Sequence, residues 1–406
     1  MSLFFYNIIT YFLSISIPHF SRKNSDFKKT VEIRKNQSKY LREWRQSIDN
    51  SPVIQIHCAS LGELEMSLPL FKKLKTENTN YRFLFSFFSS SGYNSFDVEA
   101  GDTKCYLPLE KGRDIEDFLS IAKPNVVLFI KNEFWFKYLD AINEKKIPFF
   151  FINNSFQQKP FLFRFPSLIN ILKNAQAFYP NNLTTKNLMY SMGLENIHEI
   201  KDLRYTKSIS NREKNVSLSI AQRNFLSQKK LIICGSIWPQ DESIIMPLIE
   251  KNTAFQWLIA PHKVDESNVI RLMDKLPKSN KWTTLSNSKN ESLVILNTIG
   301  ELKYLYAYAS VVYIGGAFKT GLHNIIEPAV YGKNIIFGPK YKNDSEAQNL
   351  IDKNVAFSIK SVLEFENVVN NLMDKLNTKA YSNSVHTSEK YVHDLILLSS
   401  HITKLA

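Results

Sequence analysis

The first half of the chain alternates short apolar runs with helical stretches. Runs rich in β-branched and aromatic residues occur at "VIQIH" (53–57), "YRFLFSFF" (81–88), "NVVLFI" (125–130), "IPFFFI" (147–152) and "AQAFYP" (175–180). Continuous apolar strands separated by helices are typical of a parallel sheet that is covered on both faces. The pattern therefore predicts an α/β domain over residues 51–204.

The pattern restarts after a polar stretch that we interpret as a linker, near residues 203–218. A second series of strand-like runs occurs at "LIICGS" (231–236), "QWLIAP" (256–261), "SLVILN" (292–297), "VVYIGG" (311–316) and "NIIFGP" (334–339). The fold class predicted from both halves is α/β, with two doubly wound, Rossmann-like domains, the second covering residues 205–406. Because such sheets bind ligands beyond the carboxyl ends of their strands, we expect a cleft between the domains.

Residues 1–50 differ in composition from the rest of the chain. No charged side chain precedes Arg22, and a mainly basic stretch runs from Arg22 to Arg45. An apolar segment followed by a basic one favours association with the anionic cytoplasmic face of a membrane. The alternative is an N-terminal helix that packs on the protein's own core.

The charge of the whole chain points to an anionic partner. Lys and Arg number 51 against 38 Asp and Glu, which gives a formal net charge of +13. A phosphorylated lipid, a nucleotide or a membrane surface fits this charge, whereas no motif of a nucleic-acid-binding domain is present. The three cysteines lack the spacing of metal ligands and are interpreted as buried thiols.

Residues that could bind a ligand or take part in catalysis follow the strands of the second half. Ser236 follows one predicted strand, and His262 and Lys263 follow the next. The densest signal is "YIGGAFKTGLHNIIEPA", in which a glycine pair lets backbone approach a ligand and a helix begins near Glu327 and Pro328. A helix start of this kind binds phosphate without a metal, and the chain has no Asp-x-Asp or His/Cys cluster, so we expect no divalent cofactor.

Two acidic residues of the first half occupy similar positions. Glu63 follows "VIQIH" in a Ser-Leu-Gly-Glu turn, and Glu133 follows "NVVLFI". Each could simply cap the helix that comes next. A carboxylate opposite a phosphate-binding site could also take a proton from an acceptor hydroxyl.

At this point the sequence resembles the 3-deoxy-D-manno-octulosonic acid (Kdo) transferases of lipopolysaccharide assembly, which have the GT-B glycosyltransferase fold. The resemblance rests on an ordered set of motifs: "SLGE" (60–63), "YLPLE" (106–110), "NEFWF" (132–136), "FINNS" (151–155), "KDLRY" (201–205), "GELKYLYAYASVVYIGGAF", "GLHNIIEPA" and "GPKYKNDSEA". It implies transfer of Kdo from CMP-Kdo to a lipid A precursor, with inversion, at the cytoplasmic face of the inner membrane.

The resemblance also implies roles for individual residues. Glu63 would be the catalytic base, and the acceptor-side candidates are Glu133, Trp135 and Asn153. The candidate donor-binding residues are Ser236, His262, Lys263, Gly315, Gly316, His323, Asn324, Glu327 and Asn343. "PHK" replaces the family's Pro-Arg-His, so the basic contact to the donor passes to His262 or Lys263, and Leu322 stands where the family has a glycine.

Two other functions remain open at this stage. A different GT-B transferase could use a UDP-sugar and a lipid-linked acceptor, because the fold alone does not select the donor. A non-catalytic protein that binds lipid or nucleic acid would also suit the positive charge. A change at Glu63 would leave the function of such a protein unaffected.

Overall fold

Each half of the chain builds its own parallel sheet. The computed structural model describes residues 25–156, 158, 161–212, 216–227, 230–252, 254–276, 278–285, 292–319, 321–342, 344–376 and 388–406. The first unit holds the described residues up to Lys207 together with Glu389–Ala406, and the second unit is Ser208–Ser388. The predicted α/β class with two Rossmann-like units is confirmed.

Among its described residues the first unit has six strands and the helices that connect them. In chain order the elements are α1 (Ser25–Ser47), β1 (Val53–Cys58), α2 (Leu61–Glu77), β2 (Arg82–Phe87), α3 (Ser90–Ser95), β3 (Thr103–Tyr106), α4 (Gly112–Ala122), β4 (Val126–Ile130), α5 (Phe136–Glu144), β5 (Phe149–Asn154), a 3-10 turn (Phe161–Arg164), α6 (Pro166–Leu172), β6 (Ala177–Pro180), α7 (Leu183–Ser191) and α8 (Leu203–Arg212). The boundary at Lys207 falls inside α8.

The sheet order of the first unit is β3-β2-β1-β4-β5-β6, with all neighbours parallel. Both faces are buried: Val127 and Phe129 of β4 enter one hydrophobic cluster, and Leu128 and Ile130 enter the other. This burial explains the unbroken apolar runs in the sequence. The strand order reverses between β1 and β4, which is where a doubly wound sheet opens a crevice at its carboxyl ends.

Helix α1 contains the described part of the segment that the sequence analysis assigned to the membrane. Leu41 and Trp44 of this helix are buried in the core of the first unit, as is Ile48 just beyond it. Lysines occupy its exposed side, including Lys28, Lys29, Lys35 and Lys39. Residues 1–24, which hold the apolar run, lie outside the described residues, and no helix among the described residues combines the length and apolar character needed to cross a bilayer.

The last helix of the chain packs on the first unit, although the sequence analysis placed residues 205–406 together. Helix α16 (Ser388–Thr403) buries Leu395, Leu398 and Ile402 in the cluster that also contains Ile54 of β1. Lys201 adds a backbone N–H bond to the Asp394 carboxylate at 2.9 Å. Hydrophobic burial therefore returns the chain end to the N-terminal fold.

The described part of the second unit has seven strands. After α8, its elements in chain order are α9 (Ile220–Leu226), β7 (Leu231–Ile237), α10 (Pro239–Lys251), β8 (Gln256–Pro261), α11 (Glu266–Lys275), β9 (Asn280–Lys281), a 3-10 turn (Trp282–Thr284), β10 (Leu293–Ile295), α12 (Leu302–Leu305), a 3-10 turn (Tyr306–Tyr308), β11 (Val311–Ile314), α13 (Ile326–Ala329), β12 (Asn334–Phe337), α14 (Ser345–Asp352), β13 (Ala356–Ser358) and α15 (Val362–Leu376). The order is β13-β12-β11-β7-β8-β10-β9, all parallel, and it reverses between β7 and β11.

Candidate active site

The crevice at the ends of β1 and β4 brings together four polar side chains of the first unit. His57 is in β1, Glu63 is in the first turn of α2, and Glu133 and Trp135 follow β4. The β4 end is sharply turned, because Lys131 has a φ of 70°, a left-handed conformation that non-glycine residues seldom adopt. This turn directs the "NEFW" segment back toward β1.

Glu63 caps its helix and is affected by the negative charge of a second carboxylate, that of Glu133. Its Oε2 accepts a hydrogen bond from the Ser60 backbone N–H at 2.7 Å and another from the Ser60 hydroxyl at 3.0 Å. Its Oε1 accepts none from any described residue. The side chain is only 8% exposed, and burial, followed by the negative charge of Glu133, raises the pKa of Glu63 despite the opposing effects of Ser60 and Lys131. Glu63 therefore caps its helix through Oε2, and its Oε1 is left without a hydrogen bond from the described residues.

Glu133 is joined to the sheet through an indole. The Trp135 Nε1–H lies 2.8 Å from Glu133 Oε2 and 3.1 Å from His57 Nε2. On its other side the Trp135 ring contacts Phe88 with ring centroids 4.8 Å apart, and Phe88 is 40% exposed. The two acceptor-side candidates Glu133 and Trp135 therefore share one cluster with Glu63.

Asn153 is placed differently from the other acceptor-side candidates. It is 1% exposed, and its Oδ1 accepts the Leu203 N–H at 2.9 Å while its Nδ2 donates to Asp202 at 3.4 Å. The Asp202 carboxylate also accepts two hydrogen bonds from the Arg204 guanidinium. The "FINNS" and "KDLRY" motifs thus hold the end of β5 to the start of α8, and the Asn153 amide is engaged within the protein.

In the second unit a buried carboxylate joins the two strands at the reversal. Asp241 Oδ2 accepts the backbone N–H groups of Trp238 at 2.8 Å and Gly316 at 3.0 Å, and Oδ1 accepts the Tyr313 hydroxyl at 2.8 Å. Three donors compensate the cost of burying this charge. Asp241 therefore fixes the loop after β7 against the loop after β11.

The glycine pair after β11 is required by close backbone approach. A Cβ on Gly315 would lie 2.5 Å from the carbonyl oxygen of Ser236. Gly316 has a φ of +93°, and its Cβ would lie 2.5 Å from the Gly321 carbonyl oxygen. Ser236 itself has a φ of 54° next to an irregularity in the β7–β8 pairing. The predicted positions Ser236, Gly315 and Gly316 therefore adjoin one another at the carboxyl ends.

Beside these loops, His262 and His323 stack with an indole. The ring centroids of His262 and Trp238 are 4.2 Å apart, those of His262 and His323 are 4.6 Å apart, and Trp238 Nε1–H donates to His323 Nε2 at 2.6 Å. Lys319 Nζ lies 4.0 Å from the Trp238 ring centroid. Burial and then the Lys263 and Lys319 charges lower the pKa of His262, and burial and then His262 lower that of His323. This cluster combines neutral donors with nearby ammonium groups, as an anion site requires.

The remaining donor candidates lie around the short helix α13. Asn324 Oδ1 accepts the Ile326 N–H at 3.1 Å, and Glu327 is in the first turn. The helix has only 4 residues, so its dipole is smaller than the sequence suggested. Leu322 and Gly321 border a cavity of about 490 Å³ that Lys340 and Lys342 also line. Lys263 is exposed beside His262, and Asn343 lies outside the described residues.

Sequence reasoning missed several members of both clusters. His57 lies inside a predicted strand, and Trp238 lies in a loop in which only Ser236 was considered. Lys319 belongs to no recognised motif. Asp241 lies in the first turn of α10, where an acidic residue usually caps the helix, so no local pattern indicates its contact with the loop after β11. An alternation of polar residues inside "VIQIH" was the one signal that could have identified His57, because Gln55 and His57 share a face of β1.

Metal-binding side chains do not converge in the described part of the chain. No group of three or more His, Cys, Asp and Glu residues is arranged there to hold an ion. The cysteines Cys58, Cys105 and Cys234 are free and buried, as the sequence analysis predicted.

Two Rossmann-like units, each with a polar cluster at its strand reversal, define the GT-B class of glycosyltransferase folds. Solved structures agree: UDP-GlcNAc 2-epimerase from Neisseria meningitidis matches 87% of this chain and 100% of its own with a TM-score of 0.61 at 14% identity, and MurG from Acinetobacter baumannii matches 86% and 99% with a TM-score of 0.54 at 11% identity. At such identities the likeness concerns the fold alone.

Sequence comparison shows which proteins the chain is similar to. The model of the family described as 3-deoxy-D-manno-octulosonic-acid transferase (kdotransferase) matches residues 32–207. The 3-deoxy-D-manno-octulosonic acid transferase of Rickettsia bellii is 27% identical over 85% of this chain and 85% of its own length. A bifunctional glycosyltransferase/methyltransferase of Fusobacterium nucleatum is 24% identical over 84% of this chain, which spans 55% of that longer protein. Over most of its length this chain is therefore similar to the Kdo transferases, which are glycosyltransferases.

Proposed function

We propose that this enzyme transfers Kdo from CMP-Kdo to a lipid A precursor, with inversion at the anomeric carbon and with Glu63 as the general base. The relatives named above support Kdo as the transferred sugar. The observation that carries the mechanism is the buried Glu63 carboxylate, which has one unengaged oxygen and a raised pKa at the end of β1.

In the proposed step, the acceptor hydroxyl attacks the anomeric carbon and gives its proton to Glu63 Oε1. The bond from that carbon to the phosphate oxygen breaks, and CMP leaves with the electron pair. A carboxylate at its ordinary pKa is a weak base, so burial beside Glu133 strengthens Glu63 for this task. Side chains of the second unit are proposed to stabilise the negative charge on the leaving CMP.

The second unit is proposed to hold the donor. The His262 and His323 imidazoles and the ammonium of Lys263, which adjoin the loop of Gly315 and Gly316, suit the phosphate and the Kdo carboxylate. Ser236, Asn324 and Glu327 are proposed to contact the nucleoside, with Glu327 accepting from the ribose diol. Asn343 is retained as a donor contact from the family pattern alone.

CMP should protect the folded protein, whereas UDP should not. A ligand at about 100 times its dissociation constant adds roughly 2.7 kcal/mol to the free energy of unfolding. Thermal unfolding with each nucleotide, followed by a transfer assay with CMP-Kdo, measures this selectivity. Protection by UDP and not CMP would favour the alternative, a transferase that uses a UDP-sugar.

Replacing Glu63 with Gln should lower turnover strongly and spare the fold. Gln also serves in a capping box, so the Ser60 contact and the start of α2 survive, while the proton acceptor is lost. Turnover should fall about 100-fold to 10,000-fold, with CMP affinity nearly unchanged. The matched control is Glu116→Gln, which removes an exposed carboxylate from α4 of the same unit. Near-normal turnover of Glu63→Gln would show that Glu63 only caps its helix, and Glu133 would then be the next candidate for the general base.

Turnover should not depend on a divalent metal. The donor carries a single phosphate, and the ammonium groups of Lys263 and Lys319 are proposed to neutralise it. Activity should therefore persist in EDTA after dialysis. Loss of activity in EDTA that magnesium or manganese restores would contradict this assignment.

The N-terminal region is proposed to bind the anionic cytoplasmic face of the inner membrane. The apolar run of residues 1–20 precedes α1, whose exposed lysines each contribute about 1 kcal/mol near an anionic bilayer. Changing Lys28, Lys29, Lys35 and Lys39 to Gln should weaken sedimentation with phosphatidylglycerol vesicles and leave CMP affinity unchanged. The same change at Lys123, Lys145, Lys146 and Lys173 provides a control of equal charge. Equal sedimentation of both variants and the wild type would refute the proposal.

A further inference from the structure

His57 is a fully buried polar residue that has no role in the proposed transfer step. It lies in the central strand β1, between Ser86 of β2 and Phe129 of β4. Its Nδ1 is 3.0 Å from the Ser86 carbonyl oxygen and 3.1 Å from the Ser86 hydroxyl. Because a carbonyl oxygen only accepts, Nδ1 carries the proton, and in the neutral ring Nε2 presents a lone pair.

That lone pair faces the Trp135 indole. The indole N–H is a donor only, and it lies between two acceptors, His57 Nε2 at 3.1 Å and Glu133 Oε2 at 2.8 Å. The two acceptors are 3.6 Å apart. The rings of His57 and Trp135 meet edge to face at 82°. One N–H therefore joins a rigid strand residue to a carboxylate on a loop.

We propose that His57 is a positioning residue, which uses its Nε2 lone pair to hold the Trp135 indole and thereby fixes the Glu133 carboxylate beside Glu63. This role rests on the proposed function of Glu63 as the base. A second proton on His57 would convert Nε2 to a donor that faces Glu133 and would displace the indole N–H. The Ser86 carbonyl selects the tautomer that avoids this rearrangement.

The position of Glu133 matters because its charge acts on the proposed base. Burial and then Glu133 raise the pKa of Glu63, whereas the Ser60 hydrogen bonds and Lys131 lower it. The other ionisable groups of this cluster are the buried Cys58 thiol, whose pKa burial raises, and His57 itself. A Glu133 that swings away from the cluster would weaken the repulsion, and Glu63 would become a weaker base.

Two substitutions at His57 separate the two ring nitrogens. The amide of His57→Asn can still donate to Ser86 but places no acceptor near Trp135, whereas the longer His57→Gln can present its amide oxygen there. Trp135→Phe keeps an aromatic ring and removes the donor. The pH profile of kcat/KM, the KM for CMP-Kdo and the unfolding midpoint are measured for each variant.

We expect His57→Asn and Trp135→Phe each to lower kcat about 10-fold to 100-fold, because a less basic Glu63 accepts the proton of the acceptor hydroxyl less readily. Both should move the acid limb of the profile to lower pH, with the KM for CMP-Kdo unchanged. The double variant should be no worse than either single one, because both changes break the same link. His57→Gln should regain most of the wild-type rate and profile.

An unchanged acid limb in His57→Asn, or effects that multiply in the double variant, would overturn the proposal. A readout without substrate keeps it separate from the proposed function. In ¹⁵N spectra the Trp135 indole N–H, assigned by its loss in Trp135→Phe, should exchange slowly in the wild type and faster in His57→Asn. Equal exchange rates would refute the role of His57, whereas slow wild-type exchange with no Kdo transfer would refute only the function.

Discussion

The strand order of each sheet reverses at one point, between β1 and β4 in the first unit and between β7 and β11 in the second. There the chain leaves neighbouring strands toward opposite faces, so the loops diverge and leave the carboxyl ends open. Glu63, Glu133 and Trp135 lie at the first reversal, and Ser236 and the glycine pair lie at the second. The chemistry proposed for the enzyme depends on this topological constraint.

The buried carboxylates at the two reversals differ in the hydrogen bonds that they accept. Asp241 accepts three hydrogen bonds, from two backbone N–H groups and a tyrosine, and so serves as a fixed strut. Glu63 accepts its hydrogen bonds through one oxygen and lies near another carboxylate. Saturating a carboxylate with donors stabilises its charge, whereas burying it with fewer donors beside a like charge makes it basic. The number of donors thus distinguishes a structural acid from a candidate base.

The sequence predicted the sheets well where strands are long and buried on both faces. All five predicted strands of the first half and all five of the second are present. The strands β3, β9 and β13 were not predicted, because they are short edge strands with few apolar residues, such as Thr103–Tyr106. The return of α16 to the first unit was also missed, since an amphipathic pattern shows that a face is buried but not against what.

The candidate site was predictable where a residue type and a strand end coincided, as at Glu63, Glu133 and Ser236. It was not predictable where the contact is long-range. Trp238 reaches His323 across 85 positions, and His57 reaches Trp135 across 78, so no local pattern links them. The order of the motifs indicated the resemblance to Kdo transferases, and only the fold could show which motif residues, such as Asn153, are engaged inside the protein.

The most direct test of the central claim is the mass of the product formed from CMP-Kdo and a purified lipid A precursor. The proposed function predicts an acceptor whose mass has risen by one or more whole Kdo residues, with release of CMP, in the wild type and not in Glu63→Gln. An unchanged acceptor with CMP-Kdo, together with a mass increase from a UDP-sugar, would contradict it.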